Sequence, residues 1–307
     1  MLYEYAVEPQ AMGSSWQTFR YVIEKFGFDK GRLIAEYPRR WFREVYDAAG
    51  GLSPMQKKRV EEALAQARKN KVVRSRRPYD REAGDWLHNA LVENRRCPFR
   101  AIIALTNPTG DDFVLQADEL DEIHPLMAIP QSCVVARDAV SIGAAVKELL
   151  QYSARILFVD PYFDPYSPRY KSTLRECLDI VKERNKGADC EIHYRYHDNK
   201  PSPVDLEREA ENLFRGVIPE GLSVKIFCWR EKYGGADFHA RYLLSEKGGI
   251  DVDAGFSAEG NHQTTDMHLM GFEFCLEKLA VFARDAEDYE LVEPVLLVGA
   301  DGSASHA

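Results

Sequence analysis

His239 and Arg241 stand two positions apart in DFHARYLLSEKGGIDVDAGFSAEGN, residues 237 to 261, a stretch otherwise patterned as buried strand. An imidazole beside a cation can attack phosphorus, the ring supplying the electron pair and the cation neutralising the phosphoryl oxygens. In a strand, residues two apart project to one face about 7 Å along the chain. His239 and Arg241 therefore point together, while Ala240, Tyr242 and Leu244 face the other way. A core layer does not accept such a pair without partners. The choice is between a reaction site and a satisfied histidine next to a buried ion pair. Glu246, Gly255, Ser257 and Asn261 follow in the same stretch.

The elements that must position these groups alternate from about residue 138 onward. Helix DAVSIGAAVKELLQYS leads into strand RILFVDPYF, then helix SPRYKSTLRECLDIVKERNKG, strand CEIHYRY and helix PVDLEREAENLFRGVI. LSVKIFCWR, FHARYLLSE, IDVDAGF and FEFCLEKL read as further strands. The alternation predicts an α/β layered sandwich whose sites gather at strand ends, where Asp160, Tyr162 and Asp164 fall. An Asp before Pro is equally an ordinary turn former.

Over residues 138 to about 290 the order and spacing resemble the phospholipase D-like superfamily. That family carries a His-x-Lys pair, an acid five residues after the Lys, and then a Gly-Ser step with Asn shortly beyond. Here His239 and Arg241 are followed by Glu246, Gly255, Phe256, Ser257 and Asn261. The resemblance implies attack on a phosphodiester by His239, a phosphohistidine intermediate, and protonation of the leaving oxygen by a second histidine, without metal or cofactor. It makes Arg241 the phosphate clamp, Glu246 the orienting carboxylate, and Ser257 and Asn261 the phosphate donors. The chain departs from the pattern at Arg241, at Glu246, at the intervening Phe256, and at Glu259, which falls where the amide donor is expected. One motif implies a homodimer of two half-sites, or a subunit of a larger complex. HYRYHDN (193 to 199) repeats the His-x-Arg pair but lacks the later acid and Gly-Ser step. The function expected is a nuclease, or a nuclease-derived subunit of a bacterial defence system; the alternative is a catalytically degenerate module that binds nucleic acid or a partner protein.

The first part of the chain supplies the charge for such a partner. Residues 1 to 100 hold 20 Lys and Arg against 13 Asp and Glu, leaving 20 against 36 for the remainder. The densest segment, QKKRVEEALAQARKNKVVRSRRPYDR (56 to 81), has ten basic and three acidic residues and reads as a nucleic-acid arm, for DNA above all, or as a solvated connector. Lys69, Lys71, Arg74, Arg76 and Arg77 are its candidate phosphate contacts. Helical periodicity predicts a mainly helical basic region over 1–96, connecting strands over 97–137 (FRAIIALTNP and DDFVLQADEL, paired as a hairpin or edge sheet), the α/β domain over 138–292 and a tail over 293–307. The N-terminus has no basic apolar leader, and no run approaches the ~18 apolar residues of a membrane span, so a soluble cytoplasmic protein is expected. Six scattered cysteines without a CxxC pair fit a reducing compartment. No metal site is expected. His193 and His197 would lie about 13 Å apart on a strand, whereas His262, Asp266 and His268 converge only if their segment turns.

Overall fold

Apolar runs too short to show a period form the framework of the first 131 residues. In the computed structural model, which describes all 307 residues, the chain divides into two compact units, Met1–Gln131 and Ser132–Ala307.

The first unit runs β1 (Tyr3–Val7), α1 (Pro9–Ser14), α2 (Trp16–Lys25), β2 (Arg32–Ala35), α3 (Trp41–Ala48), α4 (Pro54–Asn70), β3 (Val72–Val73), α5 (Trp86–Arg96), β4 (Ile102–Ala104) and β5 (Val114–Gln116). The strands form one sheet in the order β3-β2-β1-β4-β5, parallel throughout. The expected mainly helical region is therefore an α/β unit, and β4 and β5 lie side by side in parallel instead of forming a hairpin. Both faces of this sheet are covered, so its strands read as continuous apolar runs without alternation. Tyr5, Val7, Ile34 and Ile103 pack with Met12, Phe19, Trp41, Val45 and Leu64 on one face. Ala6, Ala35 and Ile102 meet Trp86 and Ala90 of α5 on the other.

The basic segment is part of this framework. Ser53 and Gln56 form a capping box that starts α4, with Pro54 in its first turn. The chain then passes directly into β3, hydrogen-bonded beside β2. Arg77 is the clearest correction to the expected arm. Its side chain is 8% exposed and pairs with Glu4 at 2.7 Å and with Glu93 at 3.1 Å, the latter only 3% exposed. It also donates to the Cys97 carbonyl and stacks 3.9 Å over the Phe99 ring. Lys71 donates to the Phe26 carbonyl at 2.8 Å, and burial pushes its ammonium below the ordinary lysine value. Lys69, Arg74 and Arg76 are exposed.

The second unit comprises β6 (Ser132–Arg137), α6 (Ala139–Tyr152), β7 (Arg155–Val159), α7 (Pro168–Arg184), β8 (Asp189–Arg195), α8 (Pro203–Phe214), β9 (Ser223–Arg230), β10 (Tyr242–Ser245), β11 (Gly249–Val252), β12 (Gly260–Leu269), α9 (Phe272–Val281), β13 (Glu290–Gly299) and β14 (Ala304–His306). Its nine strands are ordered β14-β13-β9-β8-β7-β10-β11-β12-β6. β7, β8 and β9 are parallel, and the other pairings are antiparallel. Leu157, Val159, Trp229, Tyr242 and Leu244 pack on one face with Cys275 of α9, while Phe158 and Ile192 meet Leu174 of α7 on the other.

Two expectations change here. FEFCLEKL is helix α9: half-buried Phe272, buried Cys275 and half-buried Leu279 recur at helical spacing, while Phe274 and Leu276 between them are exposed. The expected tail is β13 and β14, with Leu296 and Val298 buried; Pro294, unable to donate to a ladder, sits where the β13–β9 register shifts. The turn that would bring His262, Asp266 and His268 together is not formed, since all three lie along β12. The six cysteines are unpaired. No helix is long and apolar enough to cross a membrane.

Candidate active site

β7 ends at Val159, and the next residue, Asp160, organises the edge. One carboxylate oxygen accepts from the Tyr162 amide at 2.9 Å, closing the Asp-Pro turn, and the other accepts from the Phe256 amide at 3.1 Å. Burial pushes this carboxyl above the usual carboxylate range, against the pull of those amides and of Arg241 and Lys200. Gly255 makes the contact possible. A Cβ there would lie 2.5 Å from Asp160 Oδ2 and 2.9 Å from Arg241 Cδ, and its φ of +73° is one that side-chain-bearing residues rarely adopt. The neighbouring Phe256 turns into the core, edge-on to Phe158 at 5.7 Å.

His239 and Arg241 precede β10 instead of lying within it. The alternation nevertheless holds, since Phe238, Ala240, Tyr242 and Leu244 share the core beneath α9. Arg241 donates to the Asp253 carbonyl at 2.6 Å and lies 4.7 Å over the Tyr162 ring. The Arg195 guanidinium lies 5.5 Å from the centre of that ring and pairs with Glu231 at 3.0 Å. Lys200 donates to the Phe163 carbonyl at 3.0 Å and to that of Tyr162. Glu231 also accepts from the Phe238 amide at 2.7 Å, which places exposed His239 beside it. That amide first, then Arg195 and the positive form of His239, hold the Glu231 carboxylate below its ordinary value. The result is an exposed imidazole at the rim of a cationic cluster around Tyr162, at the carboxyl ends of β7 and β8.

The remaining sequence candidates are spent elsewhere or stand apart. Glu246 lies at the far end of β10, where its carboxylate accepts from the Ala154 and Arg155 amides at 2.9 and 3.1 Å. Ser257 is buried and donates to Glu259 at 2.7 Å. Glu259 pairs with Arg169 and, at 3.8 Å, with Arg137. The Ser257 hydroxyl, ahead of those two arginines, lowers the Glu259 carboxylate, whose charge is thus neutralised locally. Asn261 is exposed at the start of β12. Sequence reasoning missed Arg195 as a member of the cluster, along with Lys200 and Glu231; their position just past or at strand carboxyl ends is the signal that could have found them.

His193, the other half of the repeated His-x-Arg pair, is a core residue. It is fully buried and stacks on Phe227 at 4.6 Å. The Trp229 indole donates to its Nδ1 at 3.0 Å, so Nε2 carries the proton and donates to Glu191 at 3.0 Å. Arg155 grips the same carboxylate in a bidentate pair at 2.9 and 3.0 Å. Burial holds the His193 pKa below its ordinary value. Burial also pushes Glu191 up, but the His193 and Arg155 hydrogen bonds outweigh it and hold this carboxyl at about 2.

Both folded-state values are depressed, so both groups stabilise the fold above their unfolded pKa values and lose that contribution as pH falls. Stability should decline from about pH 6.5 as unfolded His193 takes up protons, and again between about 4.5 and 2 through Glu191. The Glu191 limb corresponds to roughly 3 kcal/mol. Urea midpoints measured against pH should show it, and in Glu191→Gln the limb below pH 4.5 should flatten; an unchanged acid limb would refute the assignment.

No protein-family model and no curated protein matches the sequence. Among solved structures, the chain is similar to phosphatidylserine synthase of Haemophilus influenzae Rd KW20 at 12% identity and a TM-score of 0.35, covering 48% of this chain and 35% of that one. It is also similar to TrmBL2, an archaeal chromatin protein with a novel mode of DNA binding, at 14% identity and a TM-score of 0.28, covering 57% of this chain and 59% of that one. The chain thus spans about a third and three-fifths of the lengths of these two structures.

Proposed function

We propose that the second unit is a phospholipase D-like phosphodiesterase acting on nucleic acid, with His239 as its nucleophile. The observation that carries this reading is an exposed histidine at the rim of a cluster of Arg241, Arg195 and Lys200 around one tyrosine. An imidazole nitrogen attacks phosphorus, the P–O bond to the leaving group breaks, and the leaving oxygen takes a proton. Water then attacks phosphorus and the P–N bond breaks, releasing a phosphate monoester and the free imidazole. Arg241 and Arg195 offer planar donor forks to the phosphoryl oxygens while charge builds there. Pairing two copies of the chain would bring a second His239 as proton donor, so a homodimer with two-fold symmetry belongs to this proposal.

A noncatalytic phosphate-binding module is the second reading. The commitment of Glu246 to the β7 amides and of Ser257 to Glu259 favours it, since neither group is left to serve a reaction.

The two are separated by trapping. In excess EDTA, the protein mixed with a phosphodiester reporter and denatured in alkali should carry phosphorus on His239, read by mass spectrometry of the peptide containing it. Absence of both the adduct and turnover would remove the catalytic reading and leave the binding module.

A further inference from the structure

We infer that the groove between α3 and α4 of the first unit is a platform for single-stranded nucleic acid. The inference rests on the nucleic-acid reading above and names the form of the partner. Phe42 and Tyr46 are four apart on α3 and so share one face. Both are half-buried at the margin of the core and, with Leu64 of α4, line an open groove of about 590 Å3, within the roughly 300–1,000 Å3 range of ligand clefts. Each ring already carries a cation. The Arg68 guanidinium lies 4.3 Å over Phe42, and the Lys57 ammonium lies 4.8 Å over Tyr46. Lys57 and Arg68 are about three turns apart on α4 and therefore lie on one side of it.

The chemistry of this strip selects its occupant. Arg43, paired with Asp47 at 3.6 Å, adds a third cation, and Glu61 is the carboxylate of the groove lining. Arg39 and Arg40 lead into α3, and exposed Lys58 and Lys69 lie along the adjoining side of α4. Aromatic faces interleaved with cations accept unpaired bases by stacking while the cations follow the phosphates. A duplex keeps its bases stacked inside and presents only charge, so the rings add nothing to its binding. An acidic peptide likewise meets the cations but has no succession of ring faces to lay on Phe42 and Tyr46.

The test uses the full chain and a labelled oligothymidylate of about 12 nucleotides, followed by anisotropy against salt. A duplex of equal length and a polyglutamate peptide are the competitors. Phe42→Leu with Tyr46→Leu keeps apolar volume and removes the rings; it should weaken single-strand binding on the order of 10-fold or more, with little change for duplex. Arg43→Gln, Lys57→Gln and Arg68→Gln together should flatten the slope of log K against log[salt] by up to about 2 units, at about 0.7 per lost phosphate contact. Unaltered thermal melting shows that each variant remains folded; for any that does not, Tyr46→Leu and Lys57→Gln alone supply the same comparison. Equal affinity for strand and duplex, indifference to the leucine changes, or equal competition by polyglutamate would each overturn the inference. If the strand is not bound while the phosphodiester reporter is still cleaved at His239, only this inference fails. Loss of reporter cleavage with strand binding intact would instead fail the catalytic reading.

Discussion

His239→Ala is expected to lower turnover of a phosphodiester reporter by a factor on the order of 10^4 or more, the scale seen when an enzyme's nucleophile is removed. Wild-type turnover should persist in excess EDTA. The side chain is exposed and lies outside the buried cluster formed by Phe238, Tyr242 and Leu244. Its truncation should therefore leave the thermal midpoint close to wild type, within the ~0.5 kcal/mol typical of surface changes. Retained turnover in the variant would exclude His239 as nucleophile. Turnover abolished by EDTA in the wild type would exclude the phosphohistidine route.

Arg77→Ala should act in the opposite manner, destroying stability in the first unit without touching the reaction. It would take the shared cation from half-buried Glu4 and from buried Glu93, which keeps Arg96 at 2.7 Å, and removing one partner of a buried pair costs about 3–5 kcal/mol in comparable cases. The Phe99 ring would also lose its stacking partner. Against a total stability on the order of 5–15 kcal/mol, the thermal midpoint should fall by roughly 10 °C or more. Arg76→Ala, one residue away and exposed, should change it by less than about 0.5 kcal/mol. Equal effects of the two changes would refute the anchoring role. The contrast also decides how a charge-removal series on this segment is read, because any set that includes Arg77 reports unfolding as well as lost phosphate contacts.

How much of this was legible in the sequence follows from element length and from which faces are covered. The second unit announces itself because α6, α7 and α8 are long and each is followed by a strand of five to eight residues, so the periods switch cleanly. In the first unit β3 has two residues and β4 and β5 have three each, too few for any period to register against the 17-residue α4. The motif residues were visible, but their destinations were not. Nothing local shows that Glu246 reaches the amides that open β7, that Ser257 turns to Glu259, or that Arg77 finds Glu4 at the far end of the unit's sequence. Those partners are distant in sequence or set by side-chain direction, and a spacing rule sees neither. Lys200 was hidden for the same reason, since its tie to the turn after β7 exists only once β8 lies beside β7.

The insertion of β10 beside β7 has a consequence in time. Tyr242 is registered against Val159 with two complete helix–strand units between them, and Asp160 is bonded by Phe256 from farther along still. During synthesis, β7 and its Asp-Pro turn leave the ribosome long before their closing partners, and long-range pairings of this kind are slow to form. The nascent chain therefore carries an open strand edge at β7 through the making of α7, β8, α8 and β9. Chaperone binding at that edge would protect it, and the cluster around Tyr162 and Asp160 can be completed only after the ribosome has passed residue 256.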